Sequence, residues 1–542
     1  MWAAAVLSAG LLELPFPLAG PMPPWRSAFA WFGLVPLMWA VLSATSWETK
    51  RPVRRGFLLG YVCGVLWYMG NCYWVRDVMM KYGDMPALAP FLLLTAFSLV
   101  LGLYFGLFAV CMALLRRASG STRMALMAAP VLWAAMELAA ARITSVPWDQ
   151  LGYSQVDNGL VNQLAPWTGV YGISFVLVAV NALLAARLLP GSARGRRRAG
   201  LAGVALLLMG WTGIFWPVPT PHPTATAVLI QPNLDVGAVN AWSGSAWDAH
   251  MAEFARLAET NCSPDIEGIP QTGAPKGMTT CEYFSTAPDL VVWPESPAPF
   301  AQADPRFVPS MAGVVKSLRA PLVVGGVGMD YSESGQQWHD YNSAMVFGAD
   351  GAMVGRYDKI HLVPFGEYVP FRKFLFFARK LTGQVSSFDR GQERKVFRLN
   401  GHRYGVFICY EAVFADEVRE FSRLGAEVLV NVSDDGWYGD TSAPWQHLNM
   451  ARMRAIENRR WLLRDTNNGV TAAVDPYGRV QQSIARHQAG ALPAAYGFRE
   501  DVTFYSEHGD VFAWVCAILA LGIVGRALRA SLRSQLSNKV RS

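Results

Sequence analysis

The chain has 542 residues, of which 52% are hydrophobic and 16% charged, with a formal net charge of +7. Ordinary soluble domains carry about 25% charged residues, and the deficit here lies in the first 218 residues and near 511–525. That excludes a simple soluble protein and implies a membrane protein with one large polar insert, and the lack of a basic-aromatic stripe argues against nucleic acid as a partner.

Uncharged apolar runs recur at about 27–44, 56–75, 85–115, 167–186, 200–218 and 511–525. Weaker runs at 2–20 and 124–141 contain Glu13 and Glu137. A span needs about 20 apolar residues, so eight transmembrane helices are expected. The 2–20 run has no basic segment before it and carries Glu13, so it reads as a retained helix rather than a signal peptide. The 85–115 run is long for one straight span, and Pro86 and Pro90 predict a bent or interfacial start.

Basic residues alternate between the connecting loops. One set holds Lys50, Arg51, Arg54 and Arg55, then Arg116, Arg117 and Arg123, then Arg187, Arg194, Arg196, Arg197 and Arg198, and the tail holds Arg526, Arg529, Arg533, Lys539 and Arg541. The other loops hold only Arg26, then Arg76 and Lys81, then Arg142. The positive-inside rule assigns the first set to the cytoplasm. With seven spans before it, the 219–510 insert is then expected outside the cytoplasm.

Within that insert, buried strands are predicted at 225–231, 289–295, 321–328, 404–411 and 426–433. Amphipathic helices are predicted at 246–259, 414–425 and 445–460. Asp350-Gly351 and Asn400-Gly401 mark tight turns. Strands alternating with helices argue for an α/β layered domain. The stretch 262–280, rich in Gly, Pro and Thr, reads as a surface loop. The expected division is residues 1–218 for seven spans, 219–510 for the α/β domain, and 511–542 for the last span and a basic tail.

Three segments carry reactive side chains. Glu295 ends DLVVWPE, Lys359 lies in YDKIHLVPFGEYVP, and Cys409 ends the apolar run YGVFIC. Each has an inert alternative: a strand-terminal acid, a surface lysine and a buried thiol. Together they form a set for acyl-thioester chemistry. The thiolate would attack, a nearby ammonium would lower the thiol pKa, and the carboxylate would move protons. The ammonium could also donate to an oxyanion. The eight histidines form no H-E-x-x-H pair, and no phosphate-binding or G-x-S-x-G motif occurs, so neither metal nor cofactor is expected.

WPE, DKIHLVPFGEYVPF and CYE, followed by NVSDDGWYGDTSAPWQHLNMARMRAIENRR and TNNGVTAAVDPYG, resemble the nitrilase (carbon–nitrogen hydrolase) superfamily. With the spans and the PWDQLGYSQ segment at 147–155, the resemblance is to its apolipoprotein N-acyltransferase family and covers nearly the whole chain. It implies an α-β-β-α sandwich outside the cytoplasm of a bacterium, in the periplasm, attached to the inner membrane by eight helices, with a cytoplasmic C-terminus. It also implies Glu295 as general base, Lys359 as oxyanion stabiliser and Cys409 as nucleophile. Glu367, Tyr410 and Glu411 match further family residues, and Trp148 and Tyr153 lie in the extracytoplasmic segment. Of two candidates for a family tryptophan, Trp242 and Trp247, the second is preferred.

The implied reaction moves an acyl chain from a phospholipid, phosphatidylethanolamine being the expected donor, onto Cys409. The thioester then acylates the α-amine of the diacylglyceryl-cysteine of an apolipoprotein. The alternatives are a membrane-tethered carbon–nitrogen hydrolase and a non-catalytic lipid sensor or transporter. A final expectation concerns the remaining thiols. Cys63, Cys72, Cys111 and Cys516 fall in apolar spans and Cys409 must stay free, so Cys262 and Cys281 are expected to form a disulfide outside the cytoplasm.

Overall fold

The computed structural model describes residues 1–43, 47, 51–83, 85–236, 246–259, 287–295, 300–332, 336–364, 366–368 and 388–541. Lys50, Trp242, Cys262, Cys281 and the 262–280 stretch lie outside the described residues.

The N-terminal part is helical. Its principal helices are α1 (Trp2–Glu13), α2 (Val35–Leu42), α3 (Pro52–Asn71), α4 (Trp74–Lys81), α5 (Leu88–Ser119), α6 (Thr122–Ile143), α7 (Val170–Leu188) and α8 (Ala193–Thr212). Six segments among the described residues are long and apolar enough to cross a membrane: Pro24–Leu42, Leu88–Ser119, Thr122–Ile143, Val170–Leu188, Ala193–Phe215 and Val511–Ser531. The two other expected spans fall short on different grounds. Helix α1 has only 12 residues. Helix α3 has 20 residues, but its arginines, tyrosines, glycines and asparagine lower its hydropathy.

The glycines of α3 have a packing purpose. A Cβ on Gly60 would sit 2.4 Å from the Phe105 carbonyl oxygen, and one on Gly64 would sit 2.7 Å from Phe105 Cβ. Small residues four apart thus let α3 approach the backbone of α5, the usual way apolar helices associate in lipid. Helix α5 itself runs from Leu88 to Ser119. Pro86 precedes the helix and Pro90 lies in its first turn, where a missing N–H costs nothing.

Among the described residues the α/β part contains two six-stranded sheets. The first has β1 (Ala225–Gln231), β2 (Leu290–Trp293), β3 (Leu322–Ser332), β4 (Gln337–Phe347), β5 (Met353–Asp358) and, far along the chain, β12 (Gly490–Tyr496). Their order is β12-β1-β2-β3-β4-β5. The second holds β6 (Val396–Leu399), β7 (His402–Ile408), β8 (Val428–Ser433), β9 (Trp461–Thr466), β10 (Thr471–Val474) and β11 (Val480–Ile484). Their order is β11-β10-β9-β8-β7-β6. Strands β1, β2 and β3 run parallel, as do β7, β8 and β9.

Period-two alternation explains the layering. Ala227, Leu229, Leu290 and Val292 join the core shared with the second sheet, whereas Val228, Ile230, Val291 and Trp293 pack with α9 (Trp247–Glu259) and α10 (Phe307–Leu318). On the second sheet, Val418 and Phe421 of α11 (Ala415–Arg423) and Ala451 and Ala455 of α12 (Ala443–Asn458) cover the strands. The arrangement is helix, sheet, sheet, helix. Strands with both faces covered read as continuous apolar runs, which is why their sequence signal is strong.

Helix α12 departs from the amphipathic expectation, because nearly all of its residues are buried. Ala451 and Ala455 face the sheet, while Met450, Met453 and Ile456 join the core of the helical part. After β12 the chain closes through α13 (Phe504–His508) into the long final helix α14 (Val511–Arg541). Arg142 at the end of α6 pairs with Asp416 of α11 and with Asp510, just before α14.

Candidate active site

The reactive groups gather where strands end. Glu295 lies two residues past β2, Lys359 directly follows β5, Cys409 directly follows β7, and Asp434 directly follows β8. Crevices outside the carboxyl ends of parallel strands are the usual ligand sites of α/β sheets.

Lys359 is almost completely buried, and its Nζ lies 2.9 Å from Glu295 Oε1 and 2.9 Å from Glu367 Oε1. Asn342 Nδ2 donates to the same two oxygens, at 2.7 Å and 2.5 Å. A lysine and an amide therefore bridge the two carboxylates side by side. The other carboxylate oxygens are held by backbone: Asp434 N–H donates to Glu295 Oε2 at 2.9 Å, and Val363 N–H to Glu367 Oε2 at 2.7 Å. Burial opposes the charge on Lys359, but the two carboxylates outweigh it and hold the ammonium well above its ordinary pKa. An ammonium has three donors, and among the described residues only two are engaged.

Cys409 is 6% exposed and adopts φ of 47°, a left-handed conformation that is uncommon for a residue with a side chain. The turn is held from both sides. Glu411, two residues on, accepts from Ile408 N–H at 2.7 Å, from Tyr357 Oη at 2.8 Å, and from Ile360 and His361 N–H at 2.7 and 3.2 Å. One carboxylate thus ties the start of the Cys409 turn to the Lys359 segment. Burial pushes Glu411 up to about 7, against the pull of these donors. On the other side, His447 Nε2 lies 3.0 Å from the Cys409 carbonyl oxygen, and its Nδ1 lies 3.0 Å from Asp435 Oδ1. Arg464 Nη2 donates to Asp435 at 2.7 and 2.9 Å, and this guanidinium outweighs burial and holds Asp435 well below the usual carboxylate range.

The thiol differs from expectation. Burial and the Glu295 carboxylate push it well above its ordinary pKa, and Lys359 pulls the other way without prevailing. Burial is the largest cause, and the two carboxylates that already engage the ammonium limit what Lys359 can offset.

The other expected residues are more dispersed. Tyr410 packs on Phe414 and against the helical core. Trp148 is buried, donates from Nε1 to Gln446 Oε1 at 2.9 Å, and has its ring centroid 6.2 Å from that of His447. Gln446 in turn donates to Asn71 Oδ1 and to the Pro17 carbonyl. Tyr153 accepts from Arg454 Nη2 at 2.9 Å, on the seam between the 144–170 segment and α12. Trp247 packs on the outer side of the first sheet, against Phe300 and beneath Arg306, and is not brought into the cluster.

The sequence reading did not single out Asn342, Asp434, Asp435, Gln446, His447 or Arg464. Asp434 and Asp435 carried a signal, two acids in succession directly after a buried strand. Asn342 carried none, because its partners are 47 and 25 residues away.

Residues 8–183 match the apolipoprotein N-acyltransferase N-terminal domain family, and residues 271–494 match the carbon-nitrogen hydrolase family. The chain is similar to the apolipoprotein N-acyltransferase of Geobacter metallireducens, with 33% identity covering 97% of this chain and 95% of that protein. It is similar also to that of Pseudomonas syringae pv. tomato, with 31% identity covering 88% and 89%. Among solved structures, Saccharomyces cerevisiae Nit3, a member of branch 10 of the nitrilase superfamily, is 16% identical with a TM-score of 0.37, covering 52% of this chain and 93% of Nit3.

Proposed function

Because the chain belongs to the apolipoprotein N-acyltransferase family, we propose that it transfers an acyl chain from a phospholipid to the N-terminal amine of apolipoproteins through a thioester on Cys409. The observation that carries this reading is the buried Lys359 shared by Glu295 and Glu367, on a segment that the Glu411 carboxylate ties to the Cys409 turn.

In the first half-reaction Glu295 takes the thiol proton as sulfur attacks the ester carbonyl of the donor, phosphatidylethanolamine in this reading. The developing oxyanion receives the third Lys359 N–H, an interaction made only in the transition state. Collapse expels the glycerol oxygen, which takes the proton from Glu295 and leaves as lysophospholipid. In the second half the α-amine of diacylglyceryl-cysteine attacks the thioester. Glu295 accepts a proton from the nitrogen and returns one to the departing thiolate. Glu367 and Asn342 position Lys359, and Glu411 positions the two segments it joins.

Acyl chains explain the helical part. Extracting one from a bilayer costs about 0.8 kcal/mol per CH₂, so the thiol must be brought to the lipid. We assign eight spans, counting α1 and α3, with the 219–510 domain in the periplasm and residues 511–542 returning to the cytoplasm. The alternating arginine content of the loops supports that orientation. The test is the intact mass of the protein after exposure to phospholipid: an acyl adduct on Cys409 is expected. If Cys409 stays unmodified while the wild-type protein still acylates apolipoprotein, the thioester route is wrong.

A further inference from the structure

Away from the cluster, a groove of about 520 Å³ opens among α1, α2, α7 and α8. Its walls are apolar, formed by Leu11, Phe32, Val35, Leu184, Leu201 and Val204, and its two charged lining residues are Arg187 and Arg197. No acid lines it, and among the described residues neither arginine forms an ion pair. The Arg187 stem rests on Gly200, where a Cβ would lie 3.0 Å from Arg187 Cδ, so the guanidinium is carried past the helix backbone. Helix α8 is thinly packed, with 22% of its apolar window buried, and Leu201 and Val204 are 62% and 47% exposed.

We propose that this groove binds one anionic phospholipid. The acyl chains would lie on Leu184, Leu201 and Val204, and the phosphodiester would face Arg187 and Arg197. The inference rests on the membrane reading of the helices and is independent of the triad. Charge complementarity selects the occupant. A zwitterionic lipid would bring its own ammonium to a place with two guanidinium groups and no carboxylate, whereas a phosphatidylglycerol headgroup leaves its phosphate charge uncompensated. Guanidinium groups suit phosphate because they donate as a planar fork, and basic pockets between membrane helices commonly take such headgroups.

The test uses the full chain in detergent, titrated with phosphatidylglycerol, phosphatidylethanolamine or inorganic phosphate and read by native mass spectrometry. Phosphatidylglycerol is expected to bind most tightly, and inorganic phosphate, with no acyl chains, to bind barely. Each arginine near a lipid phosphate is worth roughly a factor of five, so R187Q/R197Q should bind phosphatidylglycerol about 30-fold more weakly. R187K/R197K should keep most of the affinity, which separates loss of charge from loss of fold. Acyl-enzyme formation should be unchanged in both variants, so a failed triad and a failed groove give different results. Equal binding of the two lipids by the wild type, or undiminished phosphatidylglycerol binding by R187Q/R197Q, overturns the proposal.

Discussion

Replacing Lys359 with methionine keeps a similar apolar stem and deletes the charge. In the native cluster one ammonium lies 2.9 Å from each of two carboxylates, which leaves a net charge of minus one. In Lys359→Met the carboxylates share, among the described residues, only Asn342 Nδ2 as a common donor. Removing one partner from a buried ion pair costs about 3–5 kcal/mol, and a proton trapped between the carboxylates offsets part of it. The kinetic effect is separate: loss of one oxyanion donor lowers the rate on the order of 100- to 1000-fold. Adding Glu367→Gln separates the two, because the double variant regains the native net charge without regaining the donor. Thermal unfolding in detergent should show a clear loss for Lys359→Met and substantial recovery in the double variant. Acyl-enzyme formation, followed by intact mass, should stay at least on the order of 100-fold below wild type in both. A double variant that is stable and acylates at the wild-type rate would refute the oxyanion role. A single variant as stable as wild type would refute the charge argument.

Cys409→Ser should fold and form no acyl-enzyme, because a hydroxyl is a far weaker nucleophile at this site; wild-type levels of adduct would end the assignment. The resting thiol should react with iodoacetamide near neutral pH on the order of tenfold or more slowly than a free cysteine, and rapid alkylation would show that a thiolate is present. Glu411 sits near 7 in the folded protein against an ordinary 4.5, so its proton-linked stability is fully present below 4.5 and is lost as pH rises through about 7. Glu411→Gln cannot titrate and puts an NH₂ where one of the two oxygens accepts, opposite at least the Ile408 N–H, so it should be less stable than wild type, by a margin that narrows with rising pH; unfolding measured across that window would contradict this if the gap stayed constant. Cys262 and Cys281 are proposed to be disulfide-bonded, stabilising the segment between them by roughly 3 kcal/mol, and non-reducing peptide mapping that finds two free thiols would dismiss the bridge.

The parts of the fold that were legible from sequence are those written in local patterns. Strands β1, β2, β7 and β8 announce themselves because both faces are covered, so DLVVW and YGVFI read as unbroken apolar runs. Glu295 and Cys409 stood out because each interrupts such a run at its end. What depends on pairing across the chain was hidden. Asn342 is one polar residue inside a strand, and only its register opposite the end of β5 brings it to the carboxylates. His447 and Gln446 looked like the wet side of a helix, since nothing local reveals that a second layer covers them. The depressed thiol pKa expected beside a lysine was not legible as such, because burial and the Glu295 carboxylate push the other way.

Helix α12 has a consequence for how such a chain could be re-engineered. It is a party wall: Ala451 and Ala455 serve the sheet, and Met450, Met453 and Ile456 serve the bundle. A catalytic layer transplanted from a water-soluble relative would arrive with a hydrated face where those methionines stand, and with no counterpart for the Gln446 bond to Asn71. The converse cut is no easier, because residues 219–510 released alone would present that wall to water. The two halves share masonry, so a chimera joined at 218 and 511 should be viable only when the α12 sequence inside the insert is the one fitted to that bundle.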